Sequence, residues 1–486
     1  MHLRTAQRVV VSGFAALMAG PAYALFRGVG LPLAAAIPVV AALVAFTVVK
    51  LAARVPPELA NLLAGKKLLW VWLVMTALAA VQLGRLSLFM ADPEARSSST
   101  ISSSAFETEH NCYTAYFEGA RLAPLSPNIY EPTLYRPAPR SPRFIEGFTV
   151  DAYEYPPPFL VLPAIGRFLS DSFLTHRRIF FSLECFLLAA AIVAIARRLP
   201  RPASDRLVLL VPLFFLALPI RMSLQSGNFQ LAAVAISILA WASFERDRNA
   251  LGGVLLGFAI VAKLFPALFL VYFLLRKRLR PVVATSLAAA GLAALALAFF
   301  GIDVYRAFFS FHVPRLLSGE AFPALKFVPP AILINHSVYG IVLKGKAVGI
   351  TTLGMETASR VAWVYTALLL VVIVMMARRA KNELTPLAML AILALGALRA
   401  PFLPQEYGTI VPITIAIVVL ASGPSTRLRF GLWVFALVML NVVVPFEWFR
   451  PKFPPPFLLT SLCQVVHFAV VFAAIRRVLQ VERATT

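Results

Sequence analysis

RDRNALGGVLLGFAIVAKLFPALFLVYFLLRKRLR, residues 246–280, is apolar for 26 positions (250–275) between two basic flanks. A single membrane-crossing helix would put one of those flanks on each side of a bilayer, against the tendency of Lys and Arg in short loops to stay cytoplasmic. Pro266 forbids a clean helix through the middle, and Lys263 would be costly facing lipid. The stretch therefore predicts two half-helices that turn near Lys263 and Pro266 and return both basic flanks to the same side.

The same alternation of apolar run and basic punctuation continues in both directions. Of the 486 residues 60% are hydrophobic and 14% charged, whereas soluble domains are closer to half apolar. Runs of a length suited to a hydrocarbon layer of roughly 30 Å are read at 9–26, 29–49, 68–90, 179–196, 207–220, 229–244, 281–300, 359–377, 384–398, 407–421, 430–447 and 457–475. Arg4 and Arg8, Lys50 to Lys67, Arg197 to Arg206, Arg246 and Arg248, Arg276 to Arg280, Arg378 to Lys381, Arg427 and Arg429, and Arg476 and Arg477 then all fall on one side, which is cytoplasmic. The expected fold is an all-α integral membrane protein with about 12 transmembrane helices plus re-entrant and interfacial helices, both termini cytoplasmic. The first segment, with Ala22-Tyr23-Ala24, has the look of a cleavable signal, but apolar sequence resumes at once and a retained span is expected.

The net charge of +23 does not indicate nucleic acid, because the basic residues punctuate span ends and form no stripe. Cys112, Cys185 and Cys463 make neither a metal spacing nor a disulfide framework. There is no P-loop, no GxGxxG and no metal-type cluster in the sequence, so neither cofactor nor metal is expected.

Three extracytoplasmic stretches follow from this threading: 91–178, 301–358 and the turn RAPFLPQEYG, 399–408. The first is too long for a connector. It opens with RSSSTISSS, holds five prolines between Pro124 and Pro139, and carries Glu107, Glu109, Glu118, Asp151 and Glu154. A carboxylate in an aqueous pocket at the outer face suits general-base work; read one at a time, each is better explained as a solvated loop charge or a helix N-cap. YEYPPPFLVLPAIGRFL, 153–169, opens on prolines that preset a helix start, and its apolar run is too short to span. It should lie in the interface with Tyr153 and Tyr155 at headgroup level, an element suited to receiving a lipid laterally.

Cations placed to hold a phosphate are Lys263, Arg221, Arg399 and His336, with snorkelling as the alternative reading. Gln225 and Asn228 in QSGNFQ are candidate hydrogen bonders to sugar hydroxyls, and Asn335, His336 and Ser337 open a helix where amides favour an anion.

In this order the pieces resemble the GT-C superfamily of membrane glycosyltransferases, and within it glycosyltransferase family 87, the polyprenol-phosphate-mannose-dependent mannosyltransferase-like proteins. The likeness runs from about Glu107 to Tyr407 through YFEGARLAPLSPNIY (116–130), YPPPFLVLP (155–163), GNFQ (227–230), Lys263 with Pro266, and NHSVYG (335–340). The resemblance implies a GT-C-like catalytic module over 68–486, with residues 1–67 an added pair of transmembrane helices. It implies an inverting, metal-independent transfer of a sugar, mannose by family default, from a polyprenyl-phosphate donor to a hydroxyl of a lipid or glycan acceptor within the cell envelope. A first-loop carboxylate would be the base. The family's D-x-x-x-Y arrangement reads here as Glu109 with Tyr113, with Glu107 second; counted back from Tyr116 the acid position falls on Cys112. Substrate contacts are expected from Lys263, Asn335, His336, Ser337, Gln225, Asn228, Tyr155, Arg399 and, in the turn where the family tends to carry histidine, Glu406. A polytopic transporter or flippase of lipid-linked glycans and a catalytically inactive family member are the alternative readings. No internal repeat supports the transporter.

Overall fold

The computed structural model describes residues 3–63, 65–136, 142–327, 329–350, 352–379, 385–444 and 455–481. The chain is an all-α membrane protein whose β-structure, among the described residues, is one two-residue ladder, Phe144–Ile145 with Phe148–Thr149. Among the described residues, eight helices are long and apolar enough to cross a membrane, or nine if the sharply bent pair Leu218–Ser226 and Gln230–Phe244 counts as one. The expected number of twelve is corrected accordingly. The run expected at 207–220 is cut into three short helices, with Pro212 and Pro219 near the starts of the second and third. Those expected at 384–398 and 430–447 form helices of 12 and 14 residues, Pro386–Ala397 and Arg427–Leu440. Both are below the roughly 20 residues of a straight crossing. The ends of those two runs, residue 384 and residues 445–447, and the basic residue Lys381 lie outside the described residues.

Glycines and buried arginines set the helix directions. Helix Leu3–Gly28 runs parallel to Lys66–Ala91, with Gly13 against Trp72 and Gly20 against Gly84 and Ser87, where a Cβ would collide. Helix Phe173–Ala196 starts where those two end. Arg177, 1% exposed, donates from Nη1 to the carbonyls of Phe89 (2.9 Å) and Met90 (3.1 Å), and its guanidinium lies 4.6 Å from the Phe89 ring and 4.5 Å from that of Phe148. Such a cation is held in an apolar setting only by these carbonyls and π faces.

The stretch 246–280 does turn back on itself. Helix Asn249–Ala262 ends at Lys263, a short 3-10 turn carries Pro266, and Leu268–Leu275 returns. Gly253 packs on Ala284 and Gly257 on Ala288, so the outgoing arm runs parallel to the next helix, Leu279–Phe300. Both flanks therefore meet at one end, where Arg278 pairs with Glu245 and donates to the Phe244 carbonyl at 3.2 Å. Arg276 joins them to the end of Met355–Arg379 through the Ala377 carbonyl, 3.2 Å. Lys263 is left at the apex.

Residues 92–172 cover the opposite face. Helix Tyr113–Leu122 is buried along most of its length, and its Glu118 (1% exposed) is held by Arg121 at 2.8 Å and Arg143 at 2.7 Å. Residues 157–169 form a helical element that buries Phe159, Leu160 and Val161 while leaving Leu162, Ile165, Phe168 and Leu169 exposed. An apolar outer face on so short an element fits the interfacial placement expected from its sequence.

Candidate active site

The hairpin apex and the covering loop meet at Tyr155. The Lys263 ammonium lies 4.6 Å from the centre of the Tyr155 ring, and the Tyr155 hydroxyl is 2.8 Å from that of Tyr116. Tyr116 accepts in turn from the backbone amide of Phe229 at 3.1 Å, so three separate segments are joined here.

Gly227 makes this junction possible. Its φ of +64° ends helix Leu218–Ser226, and the chain turns sharply into Gln230–Phe244, capped by Asn228 Oδ1 on the Gln230 amide (3.0 Å). The turn clasps residues 111 and 112: the Cys112 amide donates to the Ser226 carbonyl at 2.7 Å, and Asn111 Nδ2 to the Gln225 carbonyl at 2.8 Å. Gln225 ties down the Ser-rich run and the short helix Ala105–Glu109, accepting from the Thr100 amide (2.7 Å) and donating to the Glu107 carbonyl (2.6 Å).

Cys112 is thereby fixed at the centre. Its Sγ is 3.6 Å from Asn228 Nδ2, 3.6 Å from the Tyr407 hydroxyl and 4.0 Å from His110 Nε2. His110 Nε2 also lies 2.8 Å from Asp151 Oδ2, and its ring stacks on Phe106. Burial works against protonation of His110, but Asp151 and Cys112 together outweigh it and hold the imidazole well above its ordinary pKa.

Glu154 is the other carboxylate of this region, and it makes no ion pair among the described residues. Burial first, then Asp151, pushes its pKa up to about 8, while Lys263, Arg315 and Arg136 pull the other way. His312, stacked on Tyr130 with ring centres 4.4 Å apart, is held neutral by burial, at a pKa of about 4.

The residues expected from sequence fall into three groups. Lys263, Tyr155, Asn228 and Gln225 belong to the cluster around Cys112, the last as a backbone tie. Glu109 does not point there: its carboxylate pairs with Arg96 at 2.9 Å with both side chains well exposed. Glu107 and Glu406 line a separate small cleft with Gln405, Phe106 and Met222. The third group is internal. Asn335 Oδ1 accepts from the amides of Ser337 (3.1 Å) and Leu403 (3.0 Å), and Ser337 caps its helix at Gly340. His336 is fully buried with its ring 5.8 Å from that of His467, next to Lys344, which donates to Gln464 at 2.7 Å. Arg399 lies on Trp363 and donates to Thr366 Oγ1 at 2.7 Å, and Arg221 donates to Gln82 at 2.8 Å. The site residues that the sequence reading passed over are His110, Tyr116 and Tyr407. For His110 and Tyr116 the signal is an imidazole and an aromatic side chain flanking a cysteine in the acid position; Tyr407, 295 residues on, carries no local signal.

A helical membrane protein with ionisable groups and paired hydroxyls gathered under an interfacial helix has the makings of a membrane glycosyltransferase. The comparisons bear this out: the chain belongs to glycosyltransferase family 87, whose profile matches residues 153–403, just over half of its length. Glu154, Tyr155, Asn228 and Lys263 lie inside the match, whereas His110, Cys112 and Asp151 precede it. No curated protein matches the chain, and no solved structure does.

Proposed function

We propose that the protein transfers a sugar, mannose by family default, from a polyprenyl-phosphate donor to a hydroxyl of a lipid or glycan acceptor, with inversion at the anomeric carbon. The observation that carries the reading is the approach of Lys263, at the apex of a helical hairpin, to Tyr155, next to Glu154 and beneath the 157–169 element. The basic residues at the far ends of the helices support a cytoplasmic assignment for that side and, with it, a site at the extracytoplasmic face of the cell membrane.

In this reading the donor arrives laterally from the bilayer and Lys263 neutralises its phosphate. Glu154 takes the proton of the acceptor hydroxyl. The acceptor oxygen bonds to the anomeric carbon as the carbon–phosphate-oxygen bond breaks, and the leaving electron pair goes to polyprenyl phosphate. Glu154 is preferred to Glu109 because Glu109 is committed to Arg96 in solvent, whereas a pKa near the working pH is what a general base needs. The hydroxyls of Tyr116 and Tyr155 and the amide of Asn228 would contact the sugar.

The test is purified protein with radiolabelled polyprenyl-phosphate mannose and a lipid extract of the source cells, comparing wild type with Glu154→Gln and Glu109→Gln. Transfer lost only in Glu154→Gln supports the assignment. Loss only in Glu109→Gln moves the base outward. Transfer by neither the wild type nor the variants, with other donor sugars tried as well, sinks the transferase reading.

A further inference from the structure

We propose that His110, Cys112 and Asp151 form a site for a divalent cation of borderline softness, of which Zn²⁺ is the natural representative. Their ligand atoms all lie within 4.8 Å of one another. The three donors suit such an ion: an imidazole nitrogen, a thiol sulfur and a carboxylate oxygen are the groups that bind Zn²⁺.

The decisive feature is which atoms face each other. In a proton relay of the Cys-His-Asp kind the thiol and the carboxylate engage opposite nitrogens of the imidazole. Here Sγ and Oδ2 both face the same nitrogen, Nε2, at 4.0 and 2.8 Å. Three donors thus enclose one point and do not form a chain. Around a tetrahedral Zn²⁺ the nitrogen–oxygen and nitrogen–sulfur separations would be roughly 3.3 and 3.6 Å, so those two pairs need to move by about half an ångström. The sulfur–oxygen pair, within 4.8 Å here, closes to roughly 3.5 Å, a larger shift that rotation of the Cys112 and Asp151 side chains supplies.

The supports of the site are already in place. His110 is stacked on Phe106 with ring centres 4.4 Å apart, the Asp151 amide donates to Thr114 Oγ1 at 3.1 Å, and the Cys112 amide is fixed to the Ser226 carbonyl. All three ligands remain partly accessible, so an ion can enter. Three protein ligands leave a fourth position open, the pattern of a reactive zinc site and not of a closed structural one. Bound there, the cation would polarise an acceptor hydroxyl and ease its loss of a proton. This departs from the metal-free chemistry that the family resemblance implies, and it falls where the family's expected acid is replaced by Cys112.

The experiment uses the full-length protein in detergent, stripped of metal and titrated with Co²⁺. The expected result is one equivalent bound with a thiolate-to-cobalt charge-transfer band and the visible bands of a tetrahedral ion. In Cys112→Ser the charge-transfer band should vanish and affinity for Zn²⁺ fall by at least about 100-fold; His110→Asn and Asp151→Asn should each weaken binding by at least about tenfold. Monodisperse elution of each variant establishes that it is folded. A folded wild type without the band overturns the proposal, as does a band that persists in Cys112→Ser and so belongs to Cys185 or Cys463. The spectrum needs no sugar donor, so its failure leaves the transferase reading standing and the reverse also holds.

Discussion

Lys263 and Tyr155 come from different layers of the protein, and the ammonium of one stands 4.6 Å from the ring centre of the other. The first ends the outgoing arm of a helical hairpin; the second just precedes the 157–169 element that covers it. A cation in such a place keeps its charge only with an anion or a π face for company. A phosphate arriving at this point exchanges a weak partner for a strong one. Lys263→Met should therefore lower kcat/KM for a polyprenyl-phosphate sugar by about 100-fold or more. Tyr155→Leu, which removes the π face and one hydroxyl but not the charge, should cost less, on the order of tenfold. Steady-state kinetics against donor concentration checks both, and equal losses would deny Lys263 a special role.

The raised pKa of Glu154 gives transfer a definite dependence on pH. A carboxyl with a pKa of about 8 is mostly protonated at neutrality and cannot accept a proton until it ionises. Activity should rise with pH along a limb centred near 8, set first by burial and then by Asp151, against the opposing pull of Lys263, Arg315 and Arg136. Stability runs the other way. The carboxyl's contribution is complete below its ordinary value of 4.5 and is lost as pH rises to about 8, because the unfolded chain ionises first. Glu154→Gln should remove this limb from the rate profile and flatten the melting temperature over the same interval. A rate profile centred near pH 4.5 would transfer the role to an ordinary carboxylate.

Gly227 permits both the turn at the end of its helix and the fit of Asn111 against it. Its φ is +64°, and a Cβ there would stand 2.8 Å from Asn111 Oδ1. Gly227→Ala combines backbone strain with a displaced neighbour and should cost about 1 to 2 kcal/mol. Because Asn111 precedes Cys112, activity should fall further than stability alone explains. Thermal denaturation followed beside the transfer assay separates the two.

Glu118 is a structural acid in the same loop. It is 1% exposed and holds Arg121 and Arg143, each about one-third exposed. Removing one partner of a fully buried pair costs about 3 to 5 kcal/mol. The partial exposure of both arginines reduces that to about 2 kcal/mol for Glu118→Gln. The loop should then be cut faster by protease, with Glu118→Ala no better; an unchanged cleavage rate would mark the arginines as sufficiently solvated.

The hairpin was legible because charge and hydropathy are local: two basic flanks, one proline and one lysine define it within 35 residues, 246–280. The count of spans was less so. An apolar run such as 207–220 reads as continuous, yet its prolines and packing cut it into short helices. In the site, Lys263 and Tyr155 stood out as polar groups bounded by apolar sequence. The acids did not, because their roles depend on partners far along the chain. Nothing near Glu109 announces that Arg96, 13 residues away, claims it, and His110 meets Asp151 only after 41 residues of loop have folded back. Cys112 carried a clue in its spacing from Tyr116, but its neighbours Asn228 and Tyr407 lie 116 and 295 residues on.

The same-side return of the hairpin flanks yields the most direct test of the threading. Arg246 and Lys277 are both exposed, one on each flank, at the end where Arg278 meets Glu245. A continuous helix over 250–275 would carry these flanks to opposite faces, roughly 39 Å apart at 1.5 Å per residue. Two variants, Arg246→Cys and Lys277→Cys, each made with native Cys112 replaced by Ser, should react with a membrane-impermeant thiol reagent from one and the same side of sealed vesicles. On the proposed orientation that side is cytoplasmic, so inverted vesicles should label both and right-side-out vesicles neither. Labelling of one variant in each orientation would turn the hairpin into a single crossing. Lys263 would then lose the apex position on which its encounter with Tyr155 depends.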